Sequence, residues 1–337
     1  MHIPRRCFTL LLLALVGRLS AQQLPESSQL PLEQVVRTAA EKSTLAAPGH
    51  APFHLRATIA DEKAHDPQWT ATVEEWWQSP TTYRRAFHSA AFTQTLVVNG
   101  RNTEERNDGP VFPELLRNLT TELVTTVPRF DQLAALHQTV QQPDGAPGQI
   151  VAKWEIAGGD GSVSKAIQAS VAVSRQTGLF TYGGDLDWDV ALHDFAEFHG
   201  VQVARRLTAQ AGHGPTLTAR ITLLEDLGTS TTGLFRVRRP TPLRQQLRVL
   251  VVPERELRRQ LVTQVSPQWP ASTRPGAMVM RVVVDRAGQV RSVDDFYSDD
   301  AAAQPAAEAA VLQWRFRPWL DGGAPVQVIS TLTLPLP

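Results

Sequence analysis

Cysteine is almost absent from this sequence, and its absence limits the chemistry open to the chain. Among 337 residues, Cys7 is the only cysteine. A single thiol excludes a disulfide framework and a cysteine-rich metal site. Cleavage of the N-terminal segment would remove this residue too, and thiol catalysis would then be excluded.

An excess of charge of either sign is also missing. The chain has 33 lysine and arginine residues and 33 aspartate and glutamate residues, so its formal net charge is +0 at pH 7. This balance gives no general attraction to nucleic acid or to anionic membrane surfaces, and we expect no nucleic-acid partner. The hydrophobic fraction of 42% and the charged fraction of 20% exclude disorder along the whole length.

The apolar run near the N-terminus is short. It covers residues 8–17, follows Arg5 and Arg6, and precedes Leu19-Ser20-Ala21, which offers a small residue for cleavage. A helix that spans a bilayer needs about 20 residues. The pattern is typical of a secretory signal peptide at residues 1–21 and predicts a periplasmic protein. An uncleaved inner-membrane anchor is the alternative.

Most of the chain that follows has strand-like patterns. Residues 22–49 contain one short amphipathic helix, and residues 53–59 then alternate apolar and polar side chains as a half-buried strand does. Asn99-Gly100 closes a later run and predicts a hairpin. Helical spacing at 113–127 and 130–139 interrupts the strands, which resume at residue 150. The fold class is therefore α+β, with a curved antiparallel, half-barrel-like sheet and helices on one face at 50–237.

The last part of the chain has a different order of elements. Residues 238–250 contain two prolines and several charges, and we interpret them as a linker. Residues 251–337 then show strand, strand, helix and strand, with a tight turn at 285–288. We expect Trp314 and Phe316 to form the core of this small β-β-α-β domain.

This C-terminal region resembles the C-terminal domain of the TonB family. Segment 265–270 resembles the Pro-x-Tyr-Pro motif that precedes the first strand, and 285–290 resembles the family's Asp-x-x-Gly-x-Val hairpin. Trp314-Arg315-Phe316-Arg317-Pro318 resembles its Trp-x-Phe-x-Pro signature, and 322–326 resembles the turn into the last strand. The resemblance covers residues 258–335.

The TonB resemblance implies a partner that binds by strand addition, such as the TonB-box peptide of an outer-membrane transporter or another envelope protein. The binding edge would be the last strand, with Gln268, Trp269 and Pro270 nearby. The residues of that edge would be Val326, Gln327, Val328, Ile329, Ser330 and Thr331. The chain lacks the long proline-rich spacer of TonB, so the resemblance implies an interaction module; an anchored energy transducer is an alternative if the N-terminal segment is not cleaved.

Residues 50–240 have a fainter resemblance to the LolA/LolB-type half-barrel, which carries lipoproteins. The similar segments are 76–80, 83–85, 96–100, 195–203 and 235–240. The resemblance implies a lipid or lipoprotein carrier or sensor as the alternative function. Its apolar cavity would involve Trp69, Trp76, Trp77 and Phe92. Taken singly, each of these residues fits an ordinary core better than a cavity wall.

The spacing of the candidate catalytic and metal-binding residues does not match that of known motifs. Asp185, Asp187 and Asp189 alternate, but the glycine and glutamate of a calcium loop do not follow. His193 and His199 have no third histidine at a zinc-like spacing. No serine-nucleophile elbow, P-loop or dinucleotide fingerprint occurs. We therefore expect no enzyme, no cofactor and no metal.

Overall fold

The computed structural model describes residues 32–62, 69–125, 140–142, 148–157, 163–184, 189–210, 215–229 and 231–337. Leu32–Pro337 form one compact unit. The predicted signal peptide at 1–21 and the predicted helix at 130–139 lie outside the described residues. In the described part of the chain, no helix is both long enough and apolar enough to cross a membrane.

Twelve described strands form one antiparallel sheet that is curved and does not close. The strands are β1 (Phe53–Asp61), β2 (Ala71–Ser79), β3 (Thr82–Ser89), β4 (Thr93–Asn99), β5 (Asn102–Asp108), β6 (Val140–Gln142), β7 (Gln149–Ala157), β8 (Val163–Ser174), β9 (Phe180–Gly184), β10 (Asp189–Phe198), β11 (Val201–Gln210) and β12 (Thr216–Asp226). Their order across the sheet is β5-β4-β3-β2-β1-β12-β11-β10-β9-β8-β7-β6. Every pairing except β1 with β12 joins strands that follow one another in the chain.

Side-chain alternation decides which face of this sheet is buried. On β1, Phe53, Leu55, Ala57 and Ile59 are buried, and the residues between them point to the opposite face. We call the buried side the inner face and the opposite side the outer face. The predicted hairpin at Asn99-Gly100 is confirmed, because Gly100 has φ +62° and Asn99 pairs with Asn102.

Within the described ranges, two helices pack on the inner face. They are α1 (Leu32–Ser43) and α2 (Glu114–Glu122), and both contact β11. Val36 and Ala39 of α1 and Leu116 and Leu119 of α2 are fully shielded from solvent and belong to the core under the sheet. Their spacing of three residues places each pair on one side of its helix, which is the amphipathic pattern that the sequence predicts.

A second sheet of four described strands lies in the C-terminal region. It consists of β13 (Val249–Val251), β15 (Gly276–Val284), β16 (Val290–Ser298) and β20 (Gln327–Leu336), in the order β13-β20-β15-β16. Two short pairs accompany it: β14 (Leu261–Thr263) with β17 (Arg315–Phe316), and β18 (Leu320–Asp321) with β19 (Ala324–Pro325). The helices are α3 (Glu254–Arg259) and α4 (Gln304–Val311).

The predicted core and turn of this region are confirmed. Trp314 is fully buried and donates a hydrogen bond from Nε1 to the carbonyl of Val265, at 2.9 Å, and Phe316 is buried beside it. Gly288 has φ +83°, and a Cβ at this position would lie 2.0 Å from the carbonyl oxygen of Phe316. Only glycine therefore fits where the β15–β16 turn meets β17.

The two sheets have separate hydrophobic cores, one under each sheet. Polar contacts join the two regions after β5. Arg281 Nη2 lies 2.5 Å from Glu114 Oε2, and Arg286 donates to the carbonyl of Gly109. The placement of a domain boundary at residues 238–250 stays a prediction.

Candidate functional site

A single stretch of chain wraps around the edge strand β5, and we call it the strap (residues 235–247). It begins on the outer face, where the carboxylate of Glu104 accepts hydrogen bonds from the backbone N–H groups of Arg238 (2.6 Å) and Arg239 (3.0 Å). Arg106 also contacts Glu104. These backbone donors, together with Arg106, lower the pKa of Glu104 from 4.5 to about 2.

The strap then crosses the edge of β5 at Thr241. The N–H of Thr241 donates to the carbonyl of Thr103 at 2.7 Å, and its hydroxyl accepts from the N–H of Glu105 at 2.8 Å. On the inner face, both carboxylate oxygens of Glu105 accept from the N–H of Leu247, each at 3.0 Å. Because neighbouring strand residues point to opposite faces, Glu104 and Glu105 hold the strap from both sides.

A cavity of about 270 Å³ lies on the inner face between β3–β5, α2 and the end of the strap, and we call it the inner cavity. Part of its wall is apolar and comes from Leu96, Val98, Phe112 and Leu247. The polar residues of the wall include Tyr83, Gln94, Thr103, Thr120 and Gln246. A concave site with apolar walls and a few hydrogen-bonding groups is the usual form of a small-ligand pocket.

Three charged residues line the inner cavity, and each has a polar partner: Arg117 lies 3.5 Å from Glu114, Glu105 accepts from Leu247, and Arg85 is paired with Glu75. Arg85 lies in its wall, and its Nε donates to Glu75 Oε2 at 2.7 Å. Burial acts to lower the pKa of Arg85, but the charge of Glu75 and the hydrogen bond to it outweigh burial and raise the pKa overall. Burial also raises the pKa of Tyr83, which stays neutral at physiological pH. The pair therefore adds no net charge to the wall.

A second cavity, of about 230 Å³, lies on the outer face of the same strands, and we call it the arginine cleft. Four arginines line it together with one acidic residue, Glu104. The arginines are Arg84 on β3, Arg106 on β5, Arg236 on the strap and Arg238 on the strap. The strap therefore closes both cavities, one on each face of the sheet.

The four aromatic residues predicted to line an apolar cavity do not surround either cavity. Trp77 is buried and stacks on Phe53 at a centroid distance of 5.3 Å, and Phe92 is buried against Phe112 at 4.7 Å. Trp69 packs at the margin of the core. Trp76 points to the outer face, because its neighbour Trp77 points inward.

The strand predicted to form the binding edge does not lie at the edge of its sheet, and this corrects the sequence prediction. β20 is not an edge strand, because β13 pairs with it in parallel: Val249 faces Gln327, Leu250 faces Val328 and Val251 faces Ile329. Val326, Val328 and Ile329 are buried. The strand thus has backbone partners from its own chain on both sides here.

The rest of that edge is covered by side chains. Gln327 is fully buried, accepts from the N–H of Phe112 and donates to its carbonyl, each at 3.2 Å. Ser330 is buried and donates to the carbonyl of Val252 at 2.7 Å, while Thr331 is exposed. Glu254 of α3 accepts from the backbone N–H of Thr333 at 2.9 Å. Residues 327–329 and Thr333 of β20 therefore have partners from the chain itself on this side.

The predicted partner-proximal segment is more open. Gln268 and Pro270 are exposed, and Trp269 packs partly buried against the C-terminal core. Trp269 therefore has a packing role that does not depend on any partner.

No metal site appears among the described residues, which contain no group of three or more His, Cys, Asp or Glu side chains able to hold an ion. Asp185 and Asp187 lie outside the described residues, and Asp189 accepts a hydrogen bond from the hydroxyl of Tyr182. His199 forms an exposed pair with Asp226 at 2.5 Å. Burial and the positive charge of Arg206 lower the pKa of His193, which lies near Asp194 on β10.

Sequence reasoning missed the residues that build the two cavities. Glu104-Glu105 and the arginines at 236, 238 and 239 are visible as short charged runs. Without the fold, nothing in the sequence brings a run at 104–105 together with one more than a hundred residues later. The sequence predicts an exposed linker at 238–250. Most residues at 238–245 are exposed, and hydrogen bonds to Glu104 and Thr103 also hold this segment against β5.

No protein-family model matches the chain, and no curated protein matches it. Among solved structures, it is similar to a LolA superfamily protein from Nitrosomonas europaea, with 10% identity, a TM-score of 0.38, and coverage of 60% of this chain and 97% of that one. It is also similar to a DUF1329 family protein from Desulfovibrio piger, with 7% identity and a TM-score of 0.36. That match covers 60% of this chain and 95% of the other. A third similar structure is the Pseudomonas aeruginosa MucA/MucB complex, with 11% identity and a TM-score of 0.23. That match covers 85% of this chain and 99% of the other. At these scores the similarities assign no family.

Proposed function

We propose that this chain is a periplasmic binding protein that holds the apolar part of an amphipathic ligand, such as one acyl chain of a lipid or lipoprotein, in the inner cavity. The observation that carries the proposal is the cavity itself, which is open to a ligand and partly walled by Leu96, Val98 and Leu247. The periplasmic location rests on the signal-peptide pattern at residues 1–21.

The size and polarity of the inner cavity favour a small apolar group. Its volume of about 270 Å³ lies just below the range of about 300–1,000 Å³ that is common for small-molecule pockets. It therefore suits one hydrocarbon chain better than a whole lipid. The charge of Arg85 is balanced by its partner Glu75, and Thr103, Thr120 and Gln246 can hydrogen-bond a neutral polar head.

A role in binding fits this site better than a role in catalysis. A general base or nucleophile needs an unpaired group at a reacting atom, whereas Arg85 and Glu75 form a pair and Tyr83 has a raised pKa. Docking of a partner strand at β20 is less favoured, because β13 would first have to leave.

The test combines recovery of a natural ligand with a variant that fills the cavity. Native mass spectrometry of the full chain, recovered from the envelope of an expressing cell, should show an acyl-sized adduct. Binding of cis-parinaric acid, a fluorescent fatty acid, is then measured for the wild type and for Leu96→Trp. The larger side chain occupies the cavity, so we expect a loss of affinity of about tenfold or more, equivalent to about 1.4 kcal/mol.

Leu243→Trp is the matched control, because Leu243 lies on the strap, is 72% exposed and does not line the inner cavity. Its affinity should stay close to that of the wild type. If Leu96→Trp is poorly folded by circular dichroism, Val98→Phe fills the same space with a smaller change. Absence of both an adduct and probe binding, or equal losses in Leu96→Trp and Leu243→Trp, would contradict the proposal.

A further inference from the structure

We infer that the arginine cleft on the outer face is a binding site for a phosphoryl group. The cleft is separate from the inner cavity, since the two lie on opposite faces of β3–β5, and the inference does not depend on the proposed function. The argument rests on the charge of the cleft, on the state of Arg84 and on the way in which the arginines surround one space.

The charges in the cleft do not balance. Four arginines face a single carboxylate, that of Glu104, so three positive charges stay uncompensated among the described residues that line the space. Glu104 is already engaged by the N–H groups of Arg238 and Arg239 and by Arg106. Like charges gathered around one cavity repel one another, and an anion in that cavity removes the repulsion.

Arg84 lines this cleft and is held in place by a contact with an aromatic ring. Its guanidinium carbon lies 5.3 Å from the ring centroid of Trp76, which in turn stacks on His54 at 5.1 Å. The Nε of Arg84 is shielded from solvent and has no hydrogen-bond partner within the described residues.

The arrangement of the arginines selects the class of anion. Arg84 approaches from β3, Arg106 from β5, and Arg236 and Arg238 from the strap, so donors surround the cavity on several sides. A planar carboxylate offers two oxygens, whereas a terminal phosphoryl group offers three and carries about −1.5 to −2 charges at pH 7. The guanidinium fork matches phosphoryl oxygens in geometry. The ligand class is therefore a phosphomonoester, free or on a lipid headgroup.

The test is isothermal titration of the full chain at constant ionic strength with two probes. One probe is inorganic phosphate, and the other is a short-chain phosphatidic acid below its micellar concentration. Saturable binding of both probes would mean that the site accepts a headgroup as well as a free phosphate. Saturable binding of phosphate alone would restrict it to free phosphate or small phosphomonoesters. Either result supports the inference.

The double variant R236Q/R238Q removes two of the cleft arginines on the exposed strap. We expect its affinity for phosphate to fall by about tenfold or more, because each hydrogen bond from a charged donor contributes substantially. R239Q/R244Q is the matched control: it removes the same charge from exposed strap residues that do not line the cleft. Its affinity should change by less than about twofold at fixed ionic strength.

A third variant tests the guanidinium of Arg84. Arg84→Lys keeps the positive charge but removes Nε and the planar fork, so we expect a loss of phosphate affinity of about fivefold or more. No saturable binding of either probe by the wild type would overturn the inference. Equal losses in R236Q/R238Q and R239Q/R244Q would overturn it as well, because they would show a general effect of charge.

Discussion

The two sheets of this protein each have an edge covered by the chain that connects them, but the coverings differ in kind. On the large sheet, the strap lies against β5 mainly through the carboxylates of Glu104 and Glu105. On the small sheet, the next residues of the chain form β13, which lies beside β20 through a backbone ladder. One connecting segment thus covers β5 and β20 by two different interactions.

This difference teaches which covering can be released. An exposed strand edge invites pairing with another chain, and the strap limits such pairing at β5. On the small sheet, β13 itself becomes the edge strand. A backbone ladder has no titrating group, so its stability changes only when the main chain or its packing changes. A covering held by carboxylates can be weakened by a fall in pH or by a single substitution that removes the charge, such as Glu to Gln. The strap is therefore the more adjustable of the two, and it is also the part that closes both cavities.

The largest expected effect comes from breaking the ladder with Leu250→Pro. Gln327 donates to the carbonyl of Arg248, and Val252 donates to the carbonyl of Ile329, so strand alternation turns the N–H of Leu250 towards β20. Proline removes that donor and also the packing of Leu250 on the C-terminal core. We expect the free energy of unfolding to fall by about 3 kcal/mol, measured by urea denaturation.

Leu250→Met is the control for this variant, because it keeps both the N–H and an apolar side chain of similar volume. Its loss should stay below about 1.5 kcal/mol. If Leu250→Pro loses no more stability than Leu250→Met, the backbone ladder contributes little to holding β13, and the contrast between the two coverings is wrong.

A smaller effect is expected from Gln327→Ala, which removes the buried side chain that connects β20 to the segment after β5. The N–H and carbonyl of Phe112 then lose their partner in a buried place. We expect a loss of about 2 kcal/mol in the free energy of unfolding. Gln268→Ala, at an exposed glutamine, should stay within about 0.5 kcal/mol of the wild type. Similar losses in both variants would show that Gln327 contributes no specific contact.

The smallest effect, and the one that most sharpens the comparison, is the pH dependence of the strap. The pKa of Glu104 is lowered in the folded state from 4.5 to about 2. A lowered carboxyl pKa contributes stability that is present above the ordinary value and is lost as pH falls through the folded value. The stability difference between wild type and Glu104→Gln should therefore be constant above about pH 5, shrink between pH 4.5 and 2, and nearly vanish at the lower limit.

This difference is measured by denaturant unfolding across the pH range. Glu41→Gln is the control, because Glu41 is exposed on α1 and distant in sequence from the strap. Its stability difference from the wild type should show no such step. A Glu104→Gln difference that is flat from pH 7 to 2 would contradict the role of this carboxylate in holding the strap.

Much of the fold was predictable because it depends on short-range patterns. Alternation in β1 and the Asn99-Gly100 hairpin are local signals, and the structure confirms both. The helical spacing of leucines in α2 and the burial of Trp314 were equally readable. In each case the partner lies close in sequence or the residue type itself determines burial.

The candidate site was much less predictable. Trp76 and Trp77 carry the same side chain, yet one stacks on the outer face and the other is buried, since a shift of one residue changes the face. The prediction that β20 forms the edge of its sheet was wrong, because β13 pairs with it there. β13 has only three residues, and so short a segment shows no apolar–polar alternation from which a strand with a distant partner could be predicted.

By itself, the sequence determined the antiparallel α+β character of the chain, the hairpins of the large sheet and the core of the C-terminal region. Those features follow from side-chain periodicity and turn chemistry, which act over a few residues. The tertiary structure alone decided that residues 235–252 cover β5 and β20, and that Arg84 meets Arg236 and Arg238 around one cleft. Such contacts join residues more than seventy positions apart, and their geometry depends on how the sheet curves, which no local pattern records.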